Sequence, residues 1–257
     1  MEENKLEPID KFREKLIKPA CEDIRRILEI TCSSSGSENH GPNFIALSAI
    51  LIVIETISQF TNKIEKKDLN SFKKTAISKY EELDPNIKKF LLPRFMPEDS
   101  DGSRLAVTFI KNYFDDIFSR PVNGCNGCLA DIVWKYRNPQ IHGYYPFISE
   151  KLRGSVLWLY KEPRNRMGVK IEEVEKEFDS YKNSLYGVEG EYFKLCPHIL
   201  FVYFKFAIKR YLDDIKEKPE SIGDNFMKNY KRLADQYYFR DETAQDVLEN
   251  QGKSKCL

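Results

Sequence analysis

Leu129 to Tyr145 reads LADIVWKYRNPQIHGYY. Leu129, Ile132, Val133 and Trp134 fall at the spacing that lays an apolar face along a helix. That helix delivers Arg137 and Asn138, meets Pro139, and within five residues of the arginine presents His142 followed by Gly143. On an uninterrupted helix, five steps of about 100° turn two side chains well away from each other. Pro139 cannot donate to the helical ladder and fits best in a first turn, with Asn138 as an N-cap before it. The chain is therefore read as kinking or restarting at Arg137-Asn138, which turns the arginine and the histidine toward one pocket.

RNA can be cut without a metal if three demands are met: a base for the 2′-OH proton, a cation for the charge building on the phosphorus-bound oxygens, and an acid for the departing 5′-oxygen. Histidine titrates near neutral pH, and arginine offers a rigid fork of donors that stays charged. Arg137 and His142 are thus the candidate catalytic pair. The plain structural alternative is an arginine capping the helix and a histidine hydrogen-bonded at a turn.

Arg137-Asn138-Pro139-Gln140-Ile141-His142 resembles the Arg-polar-X3-His form of the R-X4-6-H motif of HEPN domains. The polar residue directly after the arginine, the trailing glycine and a long apolar helix upstream sharpen the likeness, which spans roughly residues 1–160 by helix order. The resemblance implies a mainly α fold, an antiparallel helical bundle that dimerises so that two copies of the motif face one cleft. One histidine cannot easily be both base and acid, whereas two across a homodimer divide the roles. It also implies a metal-independent endoribonuclease, leaving a 2′,3′-cyclic phosphate, in defence, toxin or stress-response settings.

Upstream, Phe44 to Phe60 (FIALSAILIVIETISQF) is the most hydrophobic segment and reads as a buried central helix, not a membrane span, because Glu55, Thr56, Ser58 and Gln59 interrupt its second half. A carboxylate in such a helix is costly unless paired. A contact from Glu55 to Arg137 would hold the guanidinium in place, so Glu55 and Asn138 are assigned supporting, orienting roles, with simple exposure at a helix edge the equal alternative for Glu55. Asp10 to Ile30 reads as an amphipathic helix that Pro19 must kink or divide. Helices are also expected from Asp68 to about Glu82, from Asp84-Pro85 onward, and from Ser103 to Phe118.

Downstream, GSVLWLY (Gly154 to Tyr160) is rich in strand formers and is expected to close a hairpin with Val169-Lys170-Ile171 around Pro163 and Gly168. Glu172 to Leu185, Glu191 to Ile215 and Asp224 to Tyr238 then read as helices. The division expected is a helical domain over 1–160, a hairpin end and C-terminal helices packing on the bundle over 161–240, and a flexible tail over 241–257.

The 257 residues are 41% hydrophobic and 32% charged, enough for a real core. The net charge of +1, from 41 basic and 40 acidic residues, excludes general coating of nucleic acid and leaves any RNA contact to a local patch. Lys135, Tyr144, Lys151 and Arg153 are the candidates for that patch, although solvated charge and ordinary tyrosine packing explain them as well. The polar, acidic N-terminal stretch does not read as a secretory leader, so a cytoplasmic protein with six reduced cysteines and no membrane association is expected. Cys125-Asn126-Gly127-Cys128 has the spacing of half a zinc site, which Cys196 and His198 would complete only as an unusual ligand pair. No metal and no cofactor is assigned. The alternative function is a non-catalytic HEPN-like module that binds a nucleotide or a partner protein such as an antitoxin, a class the near-neutral charge also fits.

Overall fold

The Phe44–Phe60 run carries apolar residues on nearly every side, and in the computed structural model it forms the helix around which the others pack. The structure describes residues 6–33, 41–61, 101–125, 127–137, 148–149, 151–157, 159 and 168–233. Among them the fold is mainly helical, with one small three-stranded sheet. The helices expected after Asp68 and Asp84, and the tail from residue 234, lie outside the described residues.

Helix α1 (Leu6–Phe12) runs through a single π-turn (Arg13–Ile17) into α2 (Lys18–Ser33). The π-turn explains how Pro19 is tolerated: a proline ring clashes with the carbonyl four residues back, and one wider turn relieves that clash without ending the helix. The central helix α3 (Gly41–Thr61) buries Leu47, Ile50, Leu51, Ile54, Ile57 and Phe60. It packs against α2, against α4 (Asp101–Tyr113) and against α8 (Pro197–Glu217). Phe12 meets Phe60 at 4.8 Å and Phe226 at 5.3 Å between ring centroids, which ties α1 and α3 to the last described helix, α9 (Asp224–Leu233). No helix among the described residues is long and apolar enough to cross a membrane.

Several expected elements end elsewhere. The helix read from Ser103 to Phe118 stops at Tyr113, and Asp115 caps a separate short 3-10 turn (Asp116–Ser119) by accepting from the Ile117 N–H at 3.3 Å. The helix read over Glu172–Leu185 breaks at Glu177 into α6 (Ile171–Lys176) and α7 (Phe178–Tyr181), followed by a 3-10 turn (Lys182–Ser184). The long helix read from Glu191 begins only at Pro197, where proline occupies the first turn and needs no N–H partner.

The residues before Pro197 are strand. β1 (Arg153–Val156) lies parallel to β3 (Tyr192–Leu195), and β2 (Tyr186–Glu189) pairs with β3 antiparallel, giving the order β1-β3-β2. Glu189 faces Tyr192 across the turn Gly190-Glu191, where Gly190 has φ +58°, a backbone state that glycine adopts without strain. The expected hairpin between GSVLWLY and Val169-Lys170-Ile171 is therefore corrected. Among the described residues one bond of it is present, from the Val169 N–H to the Leu159 carbonyl at 3.0 Å, but β1 takes β3 as its partner. A single apolar core runs through elements on both sides of residue 160.

Candidate active site

The motif helix is short because each end is fixed. Gly127, at φ +119°, and Cys128 bring the chain into α5 (Leu129–Lys135). Asp131 reaches back to accept from the Cys128 N–H at 3.0 Å and from its thiol at 2.9 Å, and Lys111 lies 3.4 Å away. Burial pushes the Asp131 carboxyl up, but the Cys128 bonds and Lys111 outweigh it and hold the group below its ordinary range. At the other end, Tyr136 and Arg137 donate their N–H groups to the carbonyls three residues back, Val133 (3.1 Å) and Trp134 (3.0 Å). This tight last turn ends the helix before Asn138 and Pro139.

Tyr136 fixes that turn to the sheet. Its ring is fully buried, and its hydroxyl accepts from the Ser155 N–H at 3.1 Å while facing the carbonyls of Ser155, at 3.0 Å, and Phe193. One side chain thus reaches α5, β1 and β3, and burial pushes its phenol far above the ordinary value. No functional role was read for Tyr136 in the sequence, although a hydroxyl-bearing aromatic next to the motif arginine was the available signal.

Arg137, one residue further, turns toward α3. Its Nε and Nη2 lie 2.8 and 2.6 Å from the same carboxylate oxygen, Oε2 of Glu55. The Glu55 side chain is 12% exposed and that of Arg137 26%, so the pair is largely shielded. Trp134 places its ring 5.6 Å from the Arg137 Cζ, a cation–π contact that further limits the arginine's rotamers. The carboxylate in the apolar helix has the partner its burial demanded, and two of arginine's five N–H donors orient the rest of the group.

The other sequence candidates are distributed as follows. Lys135 donates to the Ile148 carbonyl at 2.6 Å, clamping the two sides of the segment between them, so at least one of its three donors has a structural task. Lys151 is exposed just before β1, and Arg153 is exposed at its first residue. Asn138, His142 and Tyr144 lie outside the described residues, and with them the convergence of Arg137 and His142.

Among the described residues no group of three or more His, Cys, Asp or Glu side chains is placed to hold a metal ion. The Cys128 thiol faces Asp131, and Cys196 and His198 are buried where α8 begins. Burial pushes His198 down to about 4, only partly opposed by its bond to the Leu28 carbonyl. Between pH 6.5 and 4 the unfolded chain therefore binds a proton that the folded chain refuses. Stability from this group is full above the unfolded value and is lost as the pH falls through that window, by roughly 2–4 kcal/mol. His198→Gln is expected to show a shallower loss of stability from pH 6.5 to 4 than wild type in urea titrations. Parallel curves for the two proteins would contradict this.

Comparison with known proteins gives no matching family model, no similar curated protein and no similar solved structure.

Proposed function

We propose that the chain is an endoribonuclease of the HEPN type that cleaves RNA without a metal. The observation that carries the proposal is the ion pair of Arg137 with Glu55, a cation aimed by a nearly buried carboxylate at the end of the helix that leads into the RNPQIH motif. The mainly helical fold is in keeping with such a domain.

In the proposed reaction the 2′-oxygen attacks the adjacent phosphorus, the bond from phosphorus to the 5′-oxygen breaks, and the products are a 2′,3′-cyclic phosphate and a 5′-hydroxyl. His142 takes the 2′-OH proton or supplies one to the departing oxygen. The second transfer falls to His142 of a second copy across a homodimer. Arg137 meets the charge on the non-bridging oxygens, and Glu55 and Asn138 serve to orient it. Lys151 and Arg153 supply a basic approach for the phosphate backbone, together with Tyr144 and any donor that Lys135 retains. The proposed setting is cytoplasmic RNA restriction, a toxin held by an antitoxin, or a stress response.

The test is incubation of single-stranded RNA in EDTA with wild type and with His142→Ala. Wild type leaves cyclic-phosphate ends, and the variant leaves the RNA intact. Equal cleavage, or none by either protein, removes the enzyme and favours the non-catalytic binding module.

A further inference from the structure

A second candidate site lies on elements that the proposed nuclease chemistry does not use. The ends of α4 and α6, the short helix α7 and the outer face of α8 enclose a cleft of about 600 Å³, within the range that holds small ligands. Its apolar wall includes an unusual residue for the surface, Phe206, which is 45% exposed on the outer face of α8. Phe206 packs edge-on against Phe178 at 5.3 Å, and Phe178 packs in turn on Tyr203 at 4.9 Å.

Around these rings the charge is mostly negative. Asp115, Glu175, Glu177 and Asp179 line the cleft against only two cations, Lys176 and Arg210. Arg210 is turned to the end of α4, where it donates to the carbonyls of Tyr113 (3.3 Å) and Phe114 (3.2 Å). Glu175 is held by Arg25 and Lys205, and the exposed Asp179 pairs at the surface with Lys182 at 2.9 Å, whereas the exposed Glu177, at the break between α6 and α7, has no ion pair among the described residues.

An independent observation points to a ligand. Tyr203 lines the cleft and is only 6% exposed, and its hydroxyl, which makes no hydrogen bond among the described residues, opens into the cleft instead of being sealed in the core. Burial and the fields of Asp115, Asp116 and Asp179 push this phenol up to about 12. Its oxygen is thus an acceptor set among carboxylates and beside aromatic rings.

We propose that this cleft binds a linear aliphatic polyamine, with ammonium groups on Glu177, Asp179 and the Tyr203 hydroxyl and the methylenes between them on Phe178 and Phe206. Ring faces attract organic cations, and carboxylates that flank Phe178 in the chain and line the same cleft as the rings match a ligand that alternates charge with methylenes. A compact inorganic cation would gain nothing from the phenylalanines.

The test is titration calorimetry of the full chain with spermidine in physiological salt. Saturable one-to-one binding is expected, weakened at least tenfold by Phe206→Ala and by Glu177→Gln, both at surface positions, and about tenfold by Tyr203→Phe, which keeps the ring. 1,8-Octanediol, of similar span without charge, is expected not to bind, and magnesium at matched ionic strength is expected not to displace spermidine. No saturable heat up to about 5 mM spermidine would overturn the proposal. So would binding indifferent to Phe206→Ala and Glu177→Gln, displacement by magnesium, or a lysine-rich peptide that binds more tightly with the same sensitivity to those substitutions.

Discussion

His142→Ala is expected to slow RNA cleavage in EDTA by about 10²- to 10⁴-fold, the span that a positioned general acid or base contributes. The size follows from the demands of the reaction. The 2′-OH is a poor nucleophile until its proton is taken, and the 5′-alkoxide is a poor leaving group until it receives one. In the proposed homodimer both transfers rely on His142, one from each copy, so the substitution removes base and acid together. Initial rates compared at equal folded fraction, with product ends identified by their chemistry, check this. His142→Ala turning over like wild type would exclude the role.

Tyr136→Ala is expected to destabilise the fold by about 4 kcal/mol, within the range for removing a large buried aromatic ring. The loss has two physical parts: a cavity where α5 meets β1 and β3, and a Ser155 N–H deprived of the hydroxyl it donates to. Tyr136→Phe separates them, because it keeps the ring and leaves only the polar loss of about 1–3 kcal/mol. A domain of this kind has only about 5–15 kcal/mol of stability in total, so the alanine variant should also lose the tight turn that presents Arg137. Chemical denaturation measures both variants. A loss below about 1 kcal/mol for Tyr136→Ala would show that the junction does not depend on this side chain.

Where sequence and structure agree, one strong physical requirement stood behind the reading. Phe44–Phe60 reads as interior because Ser48 alone interrupts the apolar run before Glu55, and a carboxylate at Glu55 is costly unless paired, which makes a contact with Arg137 one of its two readings beside exposure at a helix edge. That reasoning reached across 82 positions to Arg137 without any knowledge of the intervening fold.

Where they differ, local signals competed. Tyr192–Leu195 has the alternation of a strand, with Phe193 and Leu195 buried and Tyr192 and Lys194 half-buried, but it runs without a gap into the apolar α8 and so reads as its first turn. Gly190 and Pro197 were the punctuation that separates the two. The parallel pairing of β1 with β3 depends on contacts far apart in sequence, which no local period encodes. The break at Glu177 has no glycine or proline to announce it, and with it the aromatic and acidic cleft stayed hidden, because its walls come from helix ends distant in the chain.

The claim that matters most is that Glu55 acts through Arg137 on the cleavage step. A double-mutant cycle measured on the rate of RNA cleavage in EDTA tests it. Arg137→Ala should slow the reaction by about 10²- to 10³-fold and Glu55→Gln by about tenfold, with the double variant no slower than Arg137→Ala alone, since a carboxylate whose task is to aim the guanidinium has nothing left to aim. Independent, multiplying losses, or an Arg137→Ala protein that cleaves at the wild-type rate, would contradict the account.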